Sequence, residues 1–225
     1  KTSKTDGYAE INLKEFYDNN QFEPRNTYTA YIKETEVVGP YKILEEEIQF
    51  QLAKAEGQGY YLFTDDLKND NATVEGTLPD IVIRIKDEKE DNHFYIQKEV
   101  ENPEHSVKAS IKMEFYKKGT RINPVLTTPE FDIGTDVSKT DITDYFNALP
   151  IEADSAYDVY ITETKVTSSK GEYQKLDKFK AFTYYPNNPK EEKFVFHDSH
   201  VQCASIVEEN KETVFNLILN NEPSG

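Results

Sequence analysis

Three residues of types that seldom sit on a buried strand face fall in line with apolar neighbours in this chain. Lys98 stands in the row of Phe94, Ile96 and Val100, and Glu163 follows Tyr157, Val159 and Ile161. Asn221 continues the row of Phe215, Leu217 and Leu219. Residues two apart on a strand share a face, so each polar group is expected on an otherwise apolar surface. Such burial is costly unless the group is paired, neutralised or used. The chemistry that uses this trio is amide formation between side chains. Burial disfavours the charged ammonium and leaves a nucleophilic amine. That amine attacks the Asn221 side-chain carbon, Glu163 carries the protons as catalytic acid, and ammonia leaves. Asn220 replaces Asn221 as acceptor if the strand register slips by one.

The elements that must position these residues read as strands. Candidates are 8–13, 28–36, 47–53, 59–64, 80–86, 94–100, 107–116, 157–166, 178–185, 193–197 and 213–220, separated by turn-formers such as Lys118-Gly119 and Lys170-Gly171. Short helical possibilities fall at 139–147 and 203–211. This density of short strands predicts an all-β chain of antiparallel β-sandwich domains, Ig-like in architecture. An internal repeat makes the number two. Ala30-Tyr-Ile-Lys-Glu-Thr-Glu36 matches Val159-Tyr-Ile-Thr-Glu-Thr-Lys165, and each is followed by a Gly-x-Tyr, at Gly39-Pro-Tyr41 and Gly171-Glu-Tyr173. The charged run 86–92 is the expected hinge, giving a first domain at 1–90 and a second at 91–225. Glu34 is then the first domain's counterpart of Glu163. Asp87, after Ile81, Ile83 and Ile85, stands where the second domain has asparagine. The first domain has too few residues before its glutamate to hold a lysine strand. It is therefore read as truncated at its N-terminus and without a crosslink of its own.

Composition narrows the function. Lys plus Arg number 26 against 42 Asp plus Glu, a net charge of −16. That argues against nucleic acid and anionic membrane surfaces as partners, since both need cationic patches. Hydrophobic residues make up 36%, and 13 Phe and 15 Tyr supply the bulk a thin sandwich needs. The single cysteine, Cys203, excludes an internal disulfide and reads as a small packing residue. No stretch is long enough to span a membrane as a helix, and no signal peptide is seen. The chain reads as a piece of a longer protein. His197 and His200 would face opposite ways on a strand, and the acidic run 65–71 lacks the spacing of a calcium loop. The expectation is no metal, no cofactor and no turnover enzyme, only a single self-inflicted reaction.

The segments carrying this trio resemble the B-type repeat of Gram-positive collagen adhesins and the related prealbumin-like domains of pilins. Tyr95-Ile-Gln-Lys-Glu-Val100 with 107–119 is similar to that family's lysine strand and the strand-turn after it. Leu149-Pro150 and 157–165 resemble its Leu-Pro, Tyr and Glu-Thr box. Leu217-Ile-Leu-Asn-Asn-Glu-Pro223 resembles its closing strand. The chain departs from the pattern in lacking the aromatic that often follows the lysine and the proline after the glutamate box. The resemblance implies a Lys98–Asn221 isopeptide crosslink with Glu163 as catalytic acid. It implies a rigid stalk or shaft module of a cell-surface adhesin or pilin, extracellular and held to the cell wall through other regions. Partners are then neighbouring domains of the same surface protein, with host extracellular matrix or other pilin subunits beyond them. The rival reading is a ligand-binding adhesin module that recognises host matrix or glycan through loops or an aromatic face, with Tyr60, Tyr61, Tyr184 and Tyr185 as the place to look.

Overall fold

The computed structural model describes residues 7–35, 37, 41–54, 61–64 (backbone alone), 67, 69–77 and 80–224. The repeat residues Glu36, Gly39 and Pro40, much of the acidic run, and Tyr60 with the Tyr61 side chain lie outside this set. The chain divides into two compact units, Lys1–Lys89 and Glu90–Gly225. Both are all-β sandwiches of small antiparallel-rich sheets.

Unit 1 contains β1 (Tyr8–Asn12), α1 (Leu13–Asp18), β2 (Thr27–Ile32), β3 (Ile48–Lys54), β4 (Tyr61–Thr64), β5 (Ala72–Glu75) and β6 (Val82–Lys86). These form two three-stranded sheets, ordered β1-β6-β5 and β2-β3-β4. Alternation on β3 and β6 puts Ile48, Phe50, Leu52, Ile83 and Ile85 into one core, closed by Leu13 and Tyr17 of α1. Residue 13 begins a helix instead of extending the first strand. The Asn12 side chain accepts from the backbone N–H groups of Lys14 and Glu15, capping the helix.

Unit 2 contains β7 (Asp91–Val100), β8 (Val107–Lys117), β9 (Leu126–Thr127), β10 (Phe131–Gly134), β11 (Thr140–Asp141), α2 (Thr143–Asn147), β12 (Tyr157–Ser168) and β13 (Phe179–Tyr184). After these come a 3-10 turn (Lys190–Glu192), β14 (Phe194–Phe196), β15 (Val201–Glu209) and β16 (Glu212–Asn221). One sheet is ordered β11-β7-β16-β15 and the other β10-β8-β12-β13-β14, with β9 beside β8. Phe94, Phe215 and Leu217 from the first sheet meet Phe115, Val159 and Phe182 from the second in a single core. Phe94 is its hub, stacked on Phe146 at 4.0 Å between centroids and on Phe215 at 5.1 Å.

One helical possibility is corrected and the other is narrowed. Residues 203–211 are not helical: most lie on β15, which pairs with β16 across a two-residue turn. Asn210 and Lys211 both hold positive φ there, 51° and 66°. That geometry matches the twist of a hairpin, and tertiary pairing overrides the weak helical pattern. The helical reading of 139–147 shrinks to five residues, because 140–141 pair with β7.

Candidate functional site

β7 and β16, the first and last strands of unit 2, lie side by side and parallel. Their register runs from Glu212 opposite Asp91 to Asn221 opposite Val100, with Leu219 opposite Lys98. This places the lysine and the asparagine on adjacent strands, both facing inward. β12 lies in the opposite sheet and brings Glu163 across the core to meet them.

Lys98 Nζ lies 2.7 Å from Glu163 Oε1. The Asn221 amide nitrogen donates to Glu163 Oε2 at 2.8 Å and to the Gln174 carbonyl at 2.6 Å. Exposure is 2% for Lys98, 0% for Glu163 and 3% for Asn221. Burial pushes the Lys98 ammonium below its ordinary lysine range, and the Glu163 carboxylate opposes that shift in part. Asn221 Oδ1 accepts no hydrogen bond among the described residues. The asparagine thus gives Glu163 its N–H and not its carbonyl oxygen. Asn220 is half-buried, and its backbone N–H bonds the His200 carbonyl. As the neighbour of Asn221 on a strand, it points to the other face.

The local chain holds Glu163 where it is. The pairing of β12 with β8 slips between Glu163 and Lys165, a β-bulge next to the site. The segment after β12 folds back, so that Tyr173 bridges Pro223 and Gln174 N–H bonds Glu222 O. His105 Nδ1 lies 2.7 Å from the Tyr173 hydroxyl and braces the same segment.

Unit 1 repeats this frame with one part absent among its described residues. Leu44 N–H donates to Glu34 Oε2 at 2.6 Å, as Leu176 N–H donates to Glu163 Oε2 at 2.7 Å. Tyr41 bridges Lys89 and Lys42 N–H bonds Glu88 O, the counterparts of the Tyr173 and Gln174 contacts. Asp87 therefore occupies the position of Asn221. It is 3% exposed and faces the Glu34 carboxyl, and among the described residues no N–H group donates to its oxygens. Burial first, then the charge and hydrogen bond of Glu34, push its pKa from 3.8 to about 7. Lys14, on the solvent side of α1, is exposed and takes no part.

The remaining sequence candidates serve local roles. His197 Nε2 lies 2.7 Å from Thr183 Oγ1, and His200 Nδ1 lies 2.6 Å from Asp198 Oδ1. Cys203 is half-buried against the core, and burial pushes its thiol pKa up. Tyr184 is buried in the unit 2 core. Asp91, His93 and Glu212 converge at the far end of β7 and β16 with ligand atoms within 4.8 Å, a cluster that strand periodicity alone does not reveal. His93 Nε2 lies 3.2 Å from Glu212 and 3.6 Å from Asp91. Among the described residues no helix is long and apolar enough to cross a membrane.

No family model matches the chain, and no curated protein matches it. Among solved structures the chain aligns with the crystal structure of the C-terminal fragment of pilus adhesin SpaC from Lactobacillus rhamnosus GG. The alignment has 10% identity, covers 91% of this chain and 79% of that one, and has a TM-score of 0.35.

Proposed function

We propose that unit 2 closes an amide bond between Lys98 and Asn221 by its own chemistry, and that the chain is a covalently stapled structural module of a bacterial surface adhesin or pilin. The observation that carries this reading is the shared carboxylate: Glu163 bonds the lysine through one oxygen and the asparagine through the other, in a site sealed from solvent.

The step balances without a co-reactant. Glu163 takes a proton from the Lys98 ammonium. The amine nitrogen forms a bond to Asn221 Cγ, and the amide carbon–nitrogen bond breaks. The attacking nitrogen gives up a second proton as the new amide forms, and both protons pass through Glu163 to the departing nitrogen, which leaves as ammonium, the protonated form of ammonia. Holding amine and acceptor on neighbouring strands makes the reaction unimolecular. The fold turns over once, because the nucleophile is consumed.

The crosslink ties the first strand of the unit to the last. A bond closing a loop on the order of a hundred residues stabilises by roughly 4–5 kcal/mol in the chain-entropy account. An extracellular protein with one cysteine gains from such a staple what others gain from disulfides. The resemblance of 95–100, 107–119, 149–150, 157–165 and 217–223 to adhesin and pilin repeats supplies the surface location, with neighbouring domains as first partners. The intact mass tests the chemistry. One ammonia below the sequence mass, mapped to a Lys98–Asn221 branched peptide, upholds it. The full sequence mass overturns it.

A further inference from the structure

The end of the β7–β16 ladder away from Lys98 carries a second group of side chains that the amide chemistry does not use. β7 alternates, so Asp91 and His93 lie on the face opposite Phe94. The parallel register sets Glu212 of β16 beside Asp91, and the hairpin register sets Glu209 of β15 beside Glu212. Three carboxylates therefore stand abreast on neighbouring strands, an arrangement that like charges make unfavourable. Among the described residues the only ion-pair partner of Asp91 and Glu212 is the imidazole of His93. Glu90, the carboxylate just before them, is engaged elsewhere. It pairs with the buried Lys193 at 3.2 Å and accepts from the Asn92 amide at 2.9 Å.

The geometry around the imidazole is that of a donor set. His93 Nε2 lies 3.2 Å from Glu212 Oε2 and 3.6 Å from Asp91 Oδ1. That nitrogen is closed off from solvent, yet it makes no hydrogen bond among the described residues. Ligand atoms of the three residues all fall within 4.8 Å of one another. A tetrahedral ion bound to nitrogen and oxygen at about 2.0–2.2 Å holds its donors roughly 3.3–3.6 Å apart, close to the spacing around this nitrogen. The donor types narrow the ion. Calcium and magnesium take oxygen ligands and have little use for an imidazole. Copper(I) and iron–sulfur clusters want thiolates, and none is present in the group. One imidazole with two carboxylates suits zinc, which imposes no geometry of its own.

We propose that Asp91, His93 and Glu212 form a zinc site that clips the start of β7 to the start of β16. Two donors come from one strand. The third follows a tight turn whose residues Asn210 and Lys211 both hold positive φ, so its strand is already in place. The fourth position falls to water, on the solvent side of the two carboxylates. The ion offsets the repulsion in the carboxylate row and joins two strands far apart in sequence. It acts where hydrogen bonds alone hold β7 to β16, since Lys98 and Asn221 lie toward the other end of the same ladder. The site stands apart from the amide chemistry proposed for unit 2 and needs no outcome of it.

The full chain, stripped of metal with EDTA and desalted, is titrated with zinc sulfate in a calorimeter. One ion per chain should bind with a micromolar or tighter Kd. H93Q should weaken binding by about 100-fold, and D91N and E212Q by about 10-fold each. H200Q should bind as the unaltered chain does, because His200 sits at the Asn220 end of β16, paired with Asp198. Cobalt in place of zinc should give the strong visible absorption of a four-coordinate ion, and H93Q should lack it. Zinc should also raise the unit 2 melting temperature of the unaltered chain and leave that of H93Q where it was. No binding overturns the proposal and leaves His93 as a protonated imidazole between two carboxylates. Binding that H93Q retains, or calcium bound as tightly as zinc, overturns it too. Zinc held at His93 without a rise in melting temperature overturns the clip. The amide bond is read by mass and the ion by titration, so either proposal can fail without the other.

Discussion

Leu176 holds Glu163 at both ends. The Glu163 backbone N–H donates to the Leu176 carbonyl at 3.0 Å, and the Leu176 N–H donates to Glu163 Oε2 at 2.7 Å. The carboxylate is thus aimed by main chain, which side-chain substitution leaves in place. One oxygen is fixed by this amide and the asparagine, and the other is left for the amine. A proton carrier held this way needs no reorganisation when charge moves through it.

Removing the carrier should separate folding from crosslinking. E163Q keeps the shape of the side chain and an oxygen for Leu176, but it cannot relay a proton. The expected product is a folded chain at full sequence mass with Lys98 and Asn221 intact. E163A leaves the Lys98 ammonium buried without a partner, and unit 2 should lose about 3–5 kcal/mol beyond the loss of the crosslink. Intact mass and denaturant titration of the two variants check this.

K98M removes the amine and roughly preserves the volume that faces Ile96 and Leu219. The crosslink disappears, and the unit 2 transition should weaken by roughly 4–5 kcal/mol. K98R should not restore the mass loss, because a guanidinium stays charged at the pH where an amine can attack. A K98M chain that melts where the unaltered protein does would rule out a stabilising crosslink at this position.

Unit 1 should respond to pH in the sense set by Asp87. Its carboxyl titrates near 7 in the fold against an ordinary 3.8. Between those values the folded unit holds a proton that the unfolded chain has released. The associated stability is complete below the ordinary value and is lost as pH rises through about 7. The unit 1 melting temperature should therefore fall on going from acid to mildly alkaline buffer. D87N should flatten that dependence and raise the alkaline value, because the like charge beside Glu34 is gone. A melting temperature in the unaltered protein that rises over the same span would contradict the geometry.

F146A should cost about 3–5 kcal/mol in unit 2. Phe146 stacks on Phe94 at 4.0 Å and meets Phe115 and Tyr184 edge-on. Phe94 shares its strand with Lys98, so the loosened β7 should also slow ammonia release in freshly refolded protein. Chemical denaturation and time-resolved mass measurement read the two effects.

Period-two patterning made the trio legible, because Lys98, Glu163 and Asn221 each interrupt an apolar row that burial enforces. The pattern also found Glu34 and Asp87. It did not reveal that β7 and β16 run parallel, since alternation is the same in either direction and the choice is made by the intervening strands. Residues 201–209 escaped because most of β15 is exposed and carries little hydrophobic period. The turn at Asn210-Lys211 was hidden because glycine, the usual mark of such a turn, is absent. Helix α1 had a readable signal in Asn12 with Glu15 three residues on, the spacing of a capping pair. It was masked by the strand-like row that leads into it. The orientation of the Asn221 amide could not be read at all, for it depends on the Gln174 carbonyl, brought near by tertiary folding.

The parallel ladder of β7 and β16 has a mechanical meaning. The chain enters β7 at Asp91 and leaves β16 at Asn221, at opposite ends of the same ten-pair ladder. Tension applied across these two points loads the ladder in shear, straining its rungs together instead of parting them one by one as at a hairpin mouth. With Lys98 joined to Asn221, only the stretch of β7 ahead of the lysine would bear that load through hydrogen bonds. Beyond it the force path would be covalent, and the whole interior of the unit, from β8 to β15, would lie outside the line of tension.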